Sequence, residues 1–111
     1  MKKYFVLYMA PAASIEKMMA EMTPEQGKAA MEEWRKWMKK NEAVLADGGA
    51  PLGKTKRVTS DGIADVKNEV TGYSIVEAES HEAAADIFKD NPNLQIPGGY
   101  IDILDIVPMP Q

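Results

Sequence analysis

Apolar and polar positions follow two rhythms along this chain, and the switches between them mark its elements. Residues 3–9 (Lys-Tyr-Phe-Val-Leu-Tyr-Met) are apolar at odd and even positions alike and end at Ala10-Pro11. That pattern predicts a strand buried on both faces. The rhythm then lengthens. Ile15, Met18, Met19 and Met22 recur at helical spacing behind Ser14, which predicts a short amphipathic helix with a serine N-cap. A second start signal follows in Thr23-Pro24-Glu25-Gln26, with threonine at N-cap, proline at N1 and glutamine closing a capping box. Ala30, Met31, Trp34, Trp37, Met38 and Asn41 then trace one stripe, and Lys28, Glu32, Arg35, Lys36 and Lys39 the other. The main helix is expected over residues 24–41, with Glu32 and Lys36 as an i,i+4 ion pair.

Further on, Asp47-Gly48-Gly49 predicts a turn, residues 55–60 a strand, and Asp61-Gly62 a hairpin turn. Residues 69–79 predict a strand whose Gly72 marks a bulge or a close backbone approach. Ser80 caps a helix running to residue 89, with Ala84, Ile87 and Phe88 inward and His81, Glu82 and Asp86 outward. Asp90-Asn91-Pro92 ends it, Pro97-Gly98-Gly99 turns, and residues 100–107 form the last strand. The order predicts a single α+β domain over residues 1–111: ferredoxin-like (βαββαβ), a four-stranded antiparallel sheet with helices on one face.

Helices on one face leave the other bare. Strand one offers Tyr4, Val6 and Tyr8 on one side and Phe5, Leu7 and Met9 on the other. The last strand likewise shows Ile101 and Ile103 against Leu104 and Ile106. Burying each large side chain is worth about 1.5–3 kcal/mol, and a patch of this kind is normally an interface. The expected cover is the sheet of a second copy around a closed two-fold axis.

Composition narrows the chemistry. The chain has 111 residues, 45% hydrophobic and 27% charged, with a net charge of -4. That excludes a uniform basic field for nucleic acid or an anionic membrane. There is no cysteine and one histidine, which rules out disulfides, thiolate catalysis, cysteine-ligated zinc and multi-histidine sites, so no metal or other cofactor is expected. Lys2-Lys3 ahead of residues 4–10 imitates a secretion signal, but a leader of about a dozen residues is shorter than the usual ~15–30, and the apolar run falls short of the ~18 that a membrane span needs. The expectation is the first strand of a cytoplasmic protein.

Few residues invite chemistry. His81 is the single imidazole and so a candidate acid–base group, but it falls in the first turn of a helix, on its polar side. Asp90 and Asn91 follow that helix and could line a pocket mouth, although Asn91 before Pro92 also reads as a cap. Asp102 and Asp105 read as exposed positions of an edge strand. Trp34 and Trp37, with Tyr8 opposite and Met38 beside them, form either core or an aromatic wall for a small apolar or planar ligand. Eight methionines make an adaptable interior, Met18, Met19 and Met22 especially. Gly48-Gly49 and Gly98-Gly99 lack the spacing of a phosphate-binding loop and are read as turns.

Taken in order, several segments resemble the YCII-related family of the dimeric α/β-barrel superfamily, particularly its branch named for an Asp-Gly-Pro-Phe motif. They are the opening Met-Lys-Lys-Tyr-Phe-Val-Leu-Tyr, Met22-Thr23-Pro24-Glu25, Asp47-Gly48-Gly49, Gly72-Tyr73-Ser74-Ile75-Val76-Glu77-Ala78, His81-Glu82-Ala83-Ala84, Asn91-Pro92 and the closing strand. The resemblance implies two facing sheets forming a barrel, with a pocket between helices and sheet in each subunit. It also implies enzymes with a proposed His-Asp pair, the aspartate just before a proline. Here the long helix has no histidine, Asn91 stands before Pro92, and the nominal motif is reduced to Asp61-Gly62-Ile63-Ala64. The sequence therefore reads as a homodimeric module with a small-metabolite pocket. The alternative is a cofactor-free isomerase, lyase or monooxygenase acting on a small organic molecule through Asp90, Asn91, Tyr8 or His81.

Overall fold

A computed structural model describes residues 1–110. Strand β1 (Lys2–Met9) leads into helices α1 (Ala12–Glu21) and α2 (Pro24–Lys40). Strands β2 (Leu45–Pro51), β3 (Thr55–Thr59), β4 (Gly62–Val66) and β5 (Val70–Ala78) follow, then α3 (His81–Ile87), a 3-10 turn (Pro92–Gln95) and β6 (Tyr100–Asp105). Four strands form one antiparallel sheet in the order β2-β5-β1-β6. This is the ferredoxin-like arrangement with the first strand at its centre. Strands β3 and β4 form a separate two-stranded hairpin.

The start signals of α2 and α3 work as expected. The Thr23 hydroxyl accepts from the Gln26 backbone at 3.2 Å while the Gln26 side chain accepts from the Thr23 backbone at 2.9 Å, a complete capping box. Ser80 Oγ accepts from the Ala83 N–H. Helix α1 departs from expectation. It begins at Ala12 after Pro11, and Ser14 lies inside its first turn. The ion pairs on α2 also shift by one residue, to Glu32–Arg35 and Glu33–Lys36.

The larger correction concerns the second strand of the sheet. Residues 55–60 were expected to supply it, and Asp47-Gly48-Gly49 to be a turn. Instead Leu45–Pro51 pairs with β5, and residues 55–66 leave the sheet as the hairpin. The turn chemistry is real but it produces bulges rather than a reversal. Asp47 Oδ1 accepts from Gly49 N–H at 2.8 Å, Gly49 takes φ +76°, and the β2–β5 register slips on both sides of Asp47. A Cβ on Gly49 would lie 1.6 Å from the Tyr73 carbonyl oxygen. Gly72 fulfils its expectation, lying beside the β1–β5 register shift, where a Cβ would meet the Ala50 carbonyl at 3.2 Å.

Period-two alternation decides what is buried. Tyr4, Val6 and Tyr8 of β1 join Val76 and Ala78 of β5, Trp37 of α2, and Ala84 and Phe88 of the α3 region in one core. Phe5, Leu7 and Met9 point the other way, onto a sheet face without a helix layer, where Phe5 stacks on Tyr73 at 5.8 Å. Leu104 lies opposite Phe5 on that face, 42% exposed. Not every methionine is interior: Met19 and Met31 are mostly exposed. No helix among the described residues is long and apolar enough to cross a membrane.

The contrast between two glycines tests this account. Gly49→Ala should destabilise by more than ~1 kcal/mol, since it meets both a positive φ and a backbone clash. Gly53→Ala, with nothing within 4 Å, should be close to neutral. Thermal melts of the two variants check this, and equal melting temperatures would remove the bulge as a constraint.

Candidate functional site

Four positions on α2 fall on one helix face at i, i+3, i+4 and i+7: Glu33, Lys36, Trp37 and Lys40. Opposite them, the chain leaving α3 supplies Asp90, Pro92 and Gln95. These seven residues line a shallow cleft of about 180 Å³. It is smaller than the ~300–1,000 Å³ of pockets for drug-sized molecules, so it suits a single ring or less. A second recess of about 350 Å³ lies at the other end of β1, among Lys2, Lys3 and residues 105–108, and contains none of the expected site residues.

Asp90 organises the cleft. Trp37 is buried at 4% exposure, so its indole N–H needs a partner, and it donates to Asp90 Oδ1 at 3.1 Å. Lys40 donates to the other carboxylate oxygen. Lys40 first and then Trp37 hold the Asp90 carboxyl below the usual carboxylate range, because both stabilise its charged form. An ionised, doubly engaged carboxylate is a weak proton acceptor near neutral pH.

Tyr8, Trp34 and Trp37 do meet, as the main aromatic group of the core. Trp34 stands edge-on to Tyr8 at 5.1 Å and to Trp37 at 6.3 Å, and Phe88 packs 5.1 Å from Trp37. Trp37 belongs to both core and cleft. Trp34 is only half-buried, and Met38 lies at the margin, 37% exposed, against Gly48 of β2. The Tyr8 hydroxyl shares a buried 2.8 Å hydrogen bond with Ser74 Oγ. Burial raises the Tyr8 pKa above its ordinary 10.0, with the Ser74 bond a smaller opposing effect. Ser74 escaped the sequence reading, yet its signal was there: it shares the inward parity of Gly72, Val76 and Ala78.

The other candidates lie apart. His81 stacks on Tyr4 at 5.2 Å, and its Nε2 is 2.7 Å from the Ile103 carbonyl. A carbonyl only accepts, so Nε2 carries the hydrogen. Tyr4 and Tyr8 are four residues apart on β1, about 13 Å, so His81 and Asp90 sit at opposite ends of the helix-covered face. His81 does face outward on the polar side of α3 and its ring edge is exposed, but one face and one nitrogen are engaged. Asn91 is buried and caps the 3-10 turn, its Oδ1 accepting from Asn93 N–H at 2.8 Å. Asn93 in turn donates to the Met9 and Tyr100 carbonyls, fastening the turn to β1 and β6. Lys36, Lys40, Glu33 and Gln95 also went unnoticed as a group, because their convergence depends on how α2 packs against the turn.

The model of the YCII-related domain matches residues 3–110. Among solved structures, 5-chloro-2-hydroxyhydroquinone dehydrochlorinase (TftG) from Burkholderia phenoliruptrix AC1100, in complex with 2,5-dihydroxybenzoquinone, superposes with a TM-score of 0.53 over 90% of each chain at 13% identity. No curated protein matches the sequence.

One substitution tests the buried Tyr8–Ser74 pair and another the Asp90 carboxylate. Tyr8→Phe leaves Ser74 Oγ buried without its partner and should destabilise by about 1–3 kcal/mol, measured by denaturant unfolding. In the folded state Tyr8 keeps its proton where the unfolded chain would lose it. Its contribution is therefore full below about pH 10 and falls as pH rises beyond that. The alkaline loss of stability should be shallower in Tyr8→Phe. For Asp90, Lys40→Met should bring the carboxyl back toward its ordinary titration range, followed by carbon-detected NMR.

Proposed function

The chain belongs to the YCII-related family, and from that premise we propose a homodimeric module that holds a small, planar organic molecule in the cleft between α2 and the Asp90–Gln95 segment. The observation that carries this reading is the convergence of Lys36 and Lys40 with the buried Trp37 on one rim of a cavity sized for one ring. Lys36 and Lys40 are paired with Glu33 and Asp90, so the lining is polar and charge-balanced, while the aromatic edge and Pro92 favour a flat partner. The homodimer is supported by the open sheet face, where Phe5, Leu7, Met9 and Leu104 lie together with no helix over them. Hydroxyquinones serve as a first probe class, because the similarly folded dehydrochlorinase is described with 2,5-dihydroxybenzoquinone bound.

An enzyme reading would rest on Asp90 as base. The carboxylate is already engaged by Lys40 and Trp37, which lowers its basicity and favours binding over catalysis. Tyr8 and Trp34 act here as the support behind Trp37, Met38 stays at the margin against Gly48, and Asn91 and His81 hold the turn and the α3–β6 contact.

Thermal shift with 2,5-dihydroxybenzoquinone and simple aromatic carboxylates tests this. A ligand at a hundred times its Kd stabilises by about 2.7 kcal/mol, a rise of several degrees. The rise should vanish in Lys36→Glu, and Trp37 fluorescence should respond in the wild type. No shift with any of these anions, or an equal shift in Lys36→Glu, removes the cleft as the site. Turnover lost in Asp90→Asn would replace the binding module with an enzyme.

A further inference from the structure

The β3–β4 hairpin lies outside every layer of the fold. It bonds to itself through five paired positions and is held at its base by Lys67–Glu16 and by Asn68 donating to Thr55. Alternation sorts its side chains. One face begins at Thr55 and Val66, which are half-buried near the base. The opposite face carries Lys56 and Asp65, an ion pair at 2.7 Å, followed by the directly opposed Val58 and Ile63. Those two aliphatics are 74% and 71% exposed, on the side turned from the half-buried base. Their own chain does not cover them.

Two further observations bear on what does. The radius of gyration is 15.7 Å and the molecule measures 47 × 45 × 19 Å, against roughly 13 Å for the radius of a compact domain of this length. The chain is a thin plate with a projecting arm, and an isolated two-stranded hairpin is marginal in water without something to pack on. Charge is also unevenly divided. Residues 52–68 carry Lys54, Lys56, Arg57 and Lys67 against Asp61 and Asp65, a net +2, so with the whole chain at -4 the remainder stands at -6. A basic arm on an acidic body is complementary to another copy of the same body.

We infer that the β3–β4 hairpin is a dimerisation arm that crosses to a second copy of this chain, burying Val58 and Ile63 against its acidic body. This rests on the paired-sheet reading and adds to it. Four strands at about 4.8 Å spacing and six or seven paired residues give the open sheet face a footprint of roughly 400–500 Å². Stable pairs commonly give up about 800 Å² each. The arms supply further contact area and fix the relative orientation of the sheets. Asp102, exposed and directly opposite Leu7 on the open face, is a carboxylate that the arm's cations would approach.

Sedimentation equilibrium of the full chain, whose monomer mass is 12.2 kDa, tests the arm. The comparison set is the wild type, Val58→Asp/Ile63→Asp, Lys54→Glu/Arg57→Glu and a sheet-face variant, Leu7→Glu. The expected result is a wild-type dimer whose dissociation constant rises at least tenfold in both arm variants, with near-ultraviolet circular dichroism unchanged. Added salt should weaken the wild type and affect the charge-reversal variant less. A dimer lost in Leu7→Glu but unchanged in both arm variants overturns the arm and leaves the sheet pairing intact. A wild type that stays monomeric while folded overturns both, and the Val58–Ile63 pair then belongs to an unlike protein. Collapse of the Val58→Asp/Ile63→Asp fold, with an unaltered dimer in Lys54→Glu/Arg57→Glu, also overturns the arm.

Discussion

A strand with large apolar side chains on both sides can be satisfied only by cover on both sides, and β1 is such a strand. Tyr4, Val6 and Tyr8 are sealed beneath the helices, while Phe5, Leu7 and Met9 face a surface without a layer over it. The central position of β1 follows from this, because an edge would leave its backbone as well as its side chains in water. The positions of α2 and α3 follow too. Trp37 and Phe88 are the large groups that complete the inner face around Tyr8, and they fix where the two helices lie against the sheet.

The cleft is a by-product of that packing. Trp37 must be buried to fill the core, yet an indole carries one donor that cannot be left unpaired. Its partner has to come from the segment leaving α3, and Asp90 is that partner. A carboxylate next to a buried indole needs a cation, which Lys40 provides one helical turn after Trp37. Core packing thus places a charged, hydrogen-bonded group at the surface without any requirement for catalysis. The same neighbours that make Asp90 well ordered lower its proton affinity. Local order and base strength are opposed at this position.

Much of the fold was readable because its signals are local and redundant. The capping box at Thr23, the Ser80 cap and the alternation in β1 and β5 each point to one outcome, and the structure follows them. What failed was the assignment of β2. Asp47-Gly48-Gly49 has the composition of a turn and forms turn-like hydrogen bonds, but long-range pairing with β5 absorbs them as bulges. No local pattern distinguishes a reversal from a bulge when tertiary pairing decides between them. The site was legible only in part for a similar reason. Trp37 and Asp90 were visible as residue types with something to offer, whereas their mutual contact and the two lysines depend on the angle at which α2 meets the 3-10 turn.

That misassignment also relocates the Asp61-Gly62-Ile63-Ala64 segment. Had residues 55–60 formed the second strand of the sheet, this stretch would have been an ordinary connection beside it. With β2 at Leu45–Pro51, the segment becomes the turn and first residues of β4 in a hairpin held at its base. Gly62, at φ +138°, serves the reversal there, and Ile63 is set directly opposite Val58 in a register that alternation leaves no freedom to hide. Cross-strand contact between two aliphatics contributes roughly 0.2–1 kcal/mol, too little to order a hairpin alone. The hairpin therefore draws its stability from its base and from whatever lies against its outer face. A fold whose central strand already calls for a second layer supplies that surface most economically through another copy of itself.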